Sequence, residues 1–203
     1  MNKYIKKLIN YINYNSIFDD DEIFKSNDYD DYDELFKPTL GSIYYKDKIP
    51  FAVCIDEGKR FNDKKERYVL LNNENNIFTW TTNKFDTSYH LNNINDIYEN
   101  GYNNTNILIN DPNLNLSWKN LIIDDSLYLP SINELKILSE NLNKINNVIE
   151  NFNGDIILNE YYWSSTEYNV NKVYKIKMGK EPYILLDNKY NYNYIRLFFN
   201  SDK

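Results

Sequence analysis

The chain has 203 residues, a formal net charge of −7 and a single cysteine, Cys54. This length suits one main domain with a small appendage, and one cysteine excludes both an internal disulfide and a cysteine-based metal cluster. The acidic balance, with no basic stripe, disfavours nucleic-acid binding because phosphate would repel the chain.

The first 37 residues differ in charge from the rest of the chain. Between Asp19 and Glu34 there are nine acidic residues and one lysine, a local balance of −8. Before them, apolar residues recur at helical spacing from Tyr4 to Ile12. We predict an N-terminal helix followed by an acidic linker over 1–37, and a separate module over 38–203. The helix either docks on a partner protein or packs on its own module.

No signal peptide or membrane span is predicted. Residues 1–10 carry lysines but are not followed by an apolar core or a small-residue cleavage site. No stretch approaches the ~20 apolar residues of a membrane-spanning helix. We therefore expect a protein that is made in a cytoplasm and is soluble, or is carried outside within a larger assembly.

Four short strands are predicted at the start of the module, because β-formers alternate with charged or proline-containing turns. They cover Ser42–Tyr45, Phe51–Ile55, Arg67–Leu71 and Ile77–Trp80. We expect the first three to form an antiparallel hairpin or meander. Further on, Leu91, Ile94, Ile97 and Tyr98 predict a short helix that ends at Gly101.

The best-specified element is a helix that starts after Pro130. Ser131 can cap the free amides, and Glu134 three residues later completes a capping box. Apolar residues recur every three or four positions as far as Phe152, and Asn153-Gly154 predicts a left-handed stop. This apolar stripe packs on the core of the module or forms a short coiled coil between subunits.

The segment Tyr162-Trp163-Ser164-Ser165-Thr166-Glu167-Tyr168 is predicted to be a strand with one core face. A buried Glu167 needs a cationic partner, and Arg196 is the natural candidate because arginine is scarce here. We therefore predict a structural contact between Glu167 and Arg196.

The C-terminal part predicts a hairpin and a closing strand. Tyr174, Ile176 and Met178 alternate with lysines, and Gly179-Lys180 turns the chain into Tyr183–Leu186, so one face of this hairpin is wet. A polar loop follows over 187–193. A final strand, Tyr194–Phe199, then completes the sheet.

Three of these segments carry a family resemblance. They are Leu129-Pro130-Ser131-Ile132-Asn133-Glu134-Leu135, the segment Tyr162–Tyr168, and Tyr194-Ile195-Arg196. Together they resemble the C-terminal module of a family of bacterial and phage surface proteins with a C-type-lectin-like fold. The order of strands from Gly41 to Trp80 is similar to the front half of the same module in phages of gut Bacteroidetes. The resemblance, over roughly 41–199, implies an α+β fold of antiparallel sheets with a few packed helices.

The resemblance implies structural roles for a set of motif residues. The set comprises Leu129, Pro130, Ser131, Glu134, Tyr162, Trp163, Ser164, Ser165, Glu167 and Arg196.

The sequence shows no catalytic or cofactor-binding pattern. His90 and Cys54 have no sequence neighbours that suggest a triad, and there is no glycine-rich phosphate loop. Glu181-Pro182-Tyr183 fails to match the calcium loop of sugar-binding C-type lectins, and the acidic run 28–34 lacks the central glycine of an EF-hand loop. We expect no enzyme, no cofactor and no metal.

Two functions fit these observations. The resemblance implies a structural virion protein, a capsid decoration or head-fibre subunit of a crAss-like tailed phage, made in the host cytoplasm and attached to capsid or fibre proteins through 1–37. The alternative is a glycan- or protein-binding adhesin on a tail fibre or a bacterial envelope. Exposed tyrosines favour sugar stacking, so Tyr183, Tyr190 and Tyr192 mark a candidate ligand surface, unless tyrosine simply fills strands. We expect a homo-oligomer; phage fibres are often trimers, but nothing here encodes three-fold symmetry.

Overall fold

The computed structural model describes residues 38–82, 90–91, 94 and 96–202. They belong to one compact unit, Pro38–Lys203. The predictions for 1–37 lie outside the described residues. Ten strands and three α-helices are described, and nearly all strand pairs are antiparallel, which confirms the α+β class.

Five strands form the first sheet. They are β1 (Ile43–Lys46), β2 (Ile49–Glu57), β3 (Glu66–Leu70), β5 (Leu127–Tyr128) and β10 (Phe198–Phe199), in the order β1-β2-β3-β10-β5. The first three predicted strands therefore form a meander, with strand ends shifted by one or two residues, whereas the fourth, near Ile77, does not belong to this sheet. In β2, Val53 and Ile55 belong to one buried cluster while Ala52 and Cys54 belong to another. Both faces of the first sheet are consequently core.

The second sheet holds the other five strands. They are β4 (Ile77–Phe78), β6 (Tyr161–Glu167), β7 (Lys172–Lys177), β8 (Tyr183–Asn188) and β9 (Asn193–Tyr194), in the order β4-β9-β6-β7-β8. The hairpin of β7 and β8 pairs over six residues without a register shift. β8 is the outer strand of this hairpin, and Tyr183 to Leu186 are all exposed, on both of its faces. The prediction of a hairpin is confirmed, but the exposure of both β8 faces was not foreseen.

The first helix, α1 (Gly101–Asn110), begins at the glycine that was predicted to end a helix. That prediction is wrong for a packing reason. An added Cβ at Gly101 would lie 2.4 Å from a carboxylate oxygen of Glu134 and 2.4 Å from the amide nitrogen of Ser131. Glycine is needed here because the start of α1 closely approaches the start of the next helix, and Asn100 caps α1 instead.

The long helix predicted from Ser131 is two helices. They are α2 (Ile132–Glu140) and α3 (Leu142–Asn151), separated at Asn141, whose φ of −112° and ψ of 11° leave the helical region. The capping box at Ser131 and Glu134 is confirmed. The left-handed stop is also confirmed, but Asn153 carries the positive φ of 54° and Gly154 does not. The apolar residues of both helices pack in the core of their own module.

The predicted closing strand 194–199 is divided between the two sheets. β9 pairs with β4 and β6, whereas β10 pairs with β3 and β5. Residues 195–197 connect the sheets, and their side chains are buried in this crossing. None of the described helices is long and apolar enough to cross a membrane.

Candidate functional site

The capping-box carboxylate anchors a buried polar network. Glu134 accepts from the Arg67 Nε at 2.9 Å, from the Ser131 amide at 2.7 Å and from the Gly101 amide at 3.0 Å. Tyr128 donates its hydroxyl to the same carboxylate at 3.2 Å. Burial disfavours the charge of Arg67, but Glu134 and nearby acidic groups hold its pKa above the ordinary value. This network ties α1, α2 and the first sheet together and serves structure.

The predicted contact between Glu167 and Arg196 is wrong. Glu167 instead pairs with Lys189, whose Nζ lies 2.5 Å from Glu167 Oε1, and both side chains are fully buried. The other carboxylate oxygen accepts from the amide of Leu91 at 2.8 Å, and the Lys189 Nζ lies 4.9 Å from the centre of the Trp80 ring. The prediction chose Arg196 because arginine is scarce in this chain, but a lysine in the turn after β8 reaches the same carboxylate.

Arg196 binds backbone carbonyls. It donates to the carbonyl oxygens of Asp155 at 2.8 Å, Leu70 at 2.5 Å and Leu71 at 3.3 Å. Burial lowers its pKa to about 10, so the guanidinium stays charged at neutral pH. Arg196 therefore fastens the crossing segment 195–197 to the end of β3.

The other motif residues are core. Tyr162 and Trp163 lie in the two different buried clusters, and Ser164 and Ser165 are fully buried, so both faces of β6 are covered rather than the single core face predicted. The two serines still find partners: Ser164 donates to the Tyr174 carbonyl at 2.7 Å, and the Ser165 amide donates to the Pro130 carbonyl at 2.8 Å. Leu129 is also fully buried. These residues define the fold, and a ligand cannot reach them.

A different set of polar and aromatic residues lies at the surface of the second sheet. Strand pairing places Tyr161 on β6 opposite Lys177 on β7, and Lys177 opposite Tyr183 on β8. Two residues away on β7, Lys175 lies opposite Leu185 on β8. Paired residues share a face of a sheet, so these side chains lie on the same side. With the neighbouring loop they form what we call the aromatic–amide face, which comprises Tyr161, Lys175, Lys177, Tyr183, Asp187, Asn191 and Tyr192. The buried Asn193 supports this face from below.

Two tyrosines and two lysines are held together at one end of the aromatic–amide face. The hydroxyls of Tyr161 and Tyr183 are 2.8 Å apart, and their rings meet edge to face with centroids 6.3 Å apart. The Nζ atoms of Lys175 and Lys177 lie 4.2 Å and 5.0 Å from the Tyr161 ring centre. These cation–π contacts fix the Tyr161 ring, while Tyr183 remains 49 % exposed.

Asp187 organises the polar end of the face. Its carboxylate accepts from the Lys175 Nζ at 2.5 Å, from the Asn191 side-chain amide at 2.5 Å and from the Asn193 side-chain amide at 3.2 Å. Partial burial raises the pKa of Asp187, but these donors outweigh burial and hold the pKa below its ordinary value. Asp187 is therefore a fixed, charged acceptor at neutral pH.

The three tyrosines predicted for the ligand surface differ in placement. Tyr183 belongs to the aromatic–amide face, and Tyr192, between the two asparagines that bind Asp187, is 69 % exposed. Tyr190 is half-buried in the turn after β8. Sequence reasoning missed Tyr161, Lys175 and Asp187, because only the strand register brings them beside Tyr183.

The groups that could bind a metal or act as a nucleophile were located among the described residues. These residues contain no group of three or more histidine, cysteine, aspartate or glutamate side chains that could hold a metal ion. Cys54 is fully buried, and burial raises the pKa of its thiol to about 12, so the nucleophilic thiolate is suppressed. The His90 Nδ1 lies 2.6 Å from a carboxylate oxygen of Asp111.

The chain is similar to a solved structure but to no family model. No family model and no curated protein matches the chain. The solved structure is a fimbrial protein from Bacteroides ovatus, with 20 % sequence identity and a TM-score of 0.46. The match covers 66 % of this chain and 35 % of the fimbrial protein, so the chain spans about a third of that protein's length.

Proposed function

We propose that this chain is a non-enzymatic surface protein whose module binds a glycan through the aromatic–amide face. The observation that carries the proposal is the pairing of exposed aromatic rings with fixed polar groups. Tyr183 and Tyr192 are 49 % and 69 % exposed beside the hydrogen-bonded Asp187 cluster. Sugars present apolar faces that stack on tyrosine and hydroxyls that bond to amides and carboxylates, so this face offers both kinds of contact.

The rigidity of the face supports binding rather than simple surface coverage. Tyr161 is held by two lysines and by the Tyr183 hydroxyl, and Asp187 has its donors in place. Side chains that are already ordered lose less conformational entropy when a ligand binds. The Asp187 carboxylate near the end of β8 and the Asn191 amide in the following loop therefore form a preorganised site for hydroxyl groups.

A glycan array probed with the full chain tests this function. We expect binding to a subset of glycans, and about tenfold weaker binding for each of Tyr183→Ala and Tyr192→Ala, equivalent to ~1.4 kcal/mol. Tyr168→Ala is the matched control, because Tyr168 is 47 % exposed but contacts Tyr174, on the opposite face of β7 from Lys175. Equal loss in all three variants, or no glycan bound at all, would count against the proposal.

We further propose that the module has a C-type-lectin-like fold and is displayed on a phage particle. The three motif segments support this carrier. Most of their residues, though not the exposed Tyr168, are buried in the core of one α+β module, as expected for residues that specify a fold. In this proposal residues 1–37 attach the module to a capsid or fibre protein.

Immunogold electron microscopy of a producing culture tests the carrier. Label on phage heads supports a decoration or head-fibre protein, and label at tail tips supports a receptor-binding subunit. Label confined to bacterial envelopes rejects the virion and identifies an envelope adhesin. A chain without residues 1–37 should remain folded but fail to join particles; normal incorporation would refute the anchor.

A further inference from the structure

The second sheet ends in an exposed apolar strand. Within the described residues, β8 pairs with β7 on one side and has no strand on the other. Its first four residues, Tyr183 to Leu186, are each between 37 % and 49 % exposed. Because side chains alternate along a strand, Tyr183 and Leu185 lie on one face and Ile184 and Leu186 on the other. The edge is therefore apolar on both sides, and its outer backbone groups have no strand partner among the described residues.

The other three sheet edges carry features that discourage pairing with another chain. β1 has a register shift between Tyr44 and Tyr45 and ends at Lys46, which pairs with Asp124. β4 and β5 are only two residues long. Bulges, charges and short strands are the usual protection of sheet edges. β8 has six regular pairs with β7 and no charge in its first four residues.

We propose that two copies of this chain pair through β8, as antiparallel strands related by a two-fold axis, with Leu185 opposite Leu185 of the second copy. The second sheet of one copy and the second sheet of the other then join into one continuous sheet of ten strands. This contact uses the same surface on both copies and closes on itself, which is the commonest symmetry of homo-oligomers.

Charge and side-chain matching select this register and favour a second copy as the occupant. A two-fold axis perpendicular to the sheet keeps each face on its own side, so opposite residues of the two copies must come from the same face. Residues of one face are an even number of positions apart, so the axis must pass beside a residue, which then lies opposite itself. Centring on Ile184 places Glu181 opposite Asp187 of the other copy, which brings like charges together, and centring on Leu186 places Leu185 opposite a carboxylate.

Centring on Leu185 gives a compatible partner to each residue from Tyr183 to Asp187. Ile184 then lies opposite Leu186 of the second copy, and Tyr183 lies opposite Asp187, whose carboxylate can accept from a phenol. The strand is thus complementary to itself in shape and charge. Six residues per copy are a small part of the roughly 20–30 per side in a standard interface, so we expect a dissociation constant in the micromolar range.

Sedimentation velocity of the full chain at several concentrations tests the dimer. We expect a monomer–dimer equilibrium whose dissociation constant rises at least 100-fold in Leu185→Lys, since two ammonium groups would face each other across the axis. Ile184→Lys, on the other face of the strand, should weaken the dimer as well. Ile123→Lys, at a site that is 86 % exposed and outside β8, is the control and should leave the equilibrium unchanged. Circular dichroism of each variant establishes that it folds.

A cysteine cross-link tests the register. Leu185→Cys should form a disulfide-linked dimer under mild oxidation, because the new cysteine of one copy lies opposite the new cysteine of the other. Cys54 is buried and should not take part. Ile123→Cys should not form it. A wild-type chain that stays monomeric at about 100 µM, a dimer unaffected by Leu185→Lys, or a dimer that Leu185→Cys fails to cross-link would each overturn the proposal. Because no arm involves a glycan, its failure is distinct from that of the proposed function.

Discussion

Replacing Lys189 by methionine is expected to destabilise the module strongly. The substitution keeps a long side chain but removes the ammonium that lies 2.5 Å from Glu167. Both side chains are fully buried, so the Glu167 carboxylate would be left in the core without a cationic partner. Breaking a buried pair in this way costs about 3–5 kcal/mol. For a chain of this size each kcal/mol lowers the melting temperature by about 2–4 °C, so we expect a fall of roughly 6–20 °C.

Urea unfolding followed by tryptophan fluorescence measures this effect, and two further variants define its cause. Lys59→Met removes an exposed ion pair with Glu57 and should leave the unfolding midpoint unchanged. The double variant Lys189→Met/Glu167→Gln removes the unpaired charge and should recover more than about 1 kcal/mol of the loss. If Lys189→Met unfolds at the same midpoint as Lys59→Met, the buried pair does not stabilise the module.

Three other substitutions test the structural contacts. Arg196→Met, which leaves the carbonyls of Leu70 and Asp155 without their donor, should lower the free energy of unfolding by about 2–4 kcal/mol; a change below ~1 kcal/mol in urea unfolding would refute the anchoring role. Gly101→Ala should cost about 1–3 kcal/mol or more because its Cβ meets Glu134, whereas Asn110→Ala at the other end of α1 should be neutral in the same assay. Asp187→Asn should make the melting temperature of the module less sensitive to acid. The depressed pKa of Asp187 gives stability that is present above about pH 4 and lost as pH falls through its folded pKa, so melting temperatures from pH 5 to 2 should fall less steeply in the variant; parallel curves for wild type and variant would contradict this. Cys54 should react with a thiol reagent at pH 8 only in urea, since its pKa is raised to about 12 and its side chain is buried; labelling of the native chain at the unfolded rate would exclude a buried thiol.

Local signals predicted much of the fold. The capping box at Ser131 and the Asn153-Gly154 stop are read from a few neighbouring residues, and both are present. The boundary at Asn141 was missed because α2 and α3 continue the same three-or-four spacing across it. The role of Gly101 was missed because the constraint is the distant Glu134 carboxylate, which no local pattern reveals.

Long-range pairing was predicted less well. Glu167 was correctly expected to need a buried cation, but the sequence offers no rule for choosing between Lys189 and Arg196. The choice depends on the course of the chain through β9 and β10, which belong to different sheets. The candidate site shows the same limit: Tyr183 and Tyr192 stand out as tyrosines in a polar stretch, while Asp187 and Tyr161 join them only through strand register.

The distribution of these residues separates fold from recognition. The residues that carry the family resemblance are largely buried and bind other core groups, so their substitution changes stability first. The aromatic–amide face lies on β6, β7, β8 and the following loop, and its Tyr183 and Tyr192 rings are exposed. A variant such as Tyr192→Ala should therefore lose glycan binding at constant melting temperature, whereas Arg196→Met should lower the melting temperature and leave the glycan affinity of the folded fraction unchanged. If both variants moved both quantities together, the face would be part of the structural core, and recognition would have to be sought elsewhere on the module.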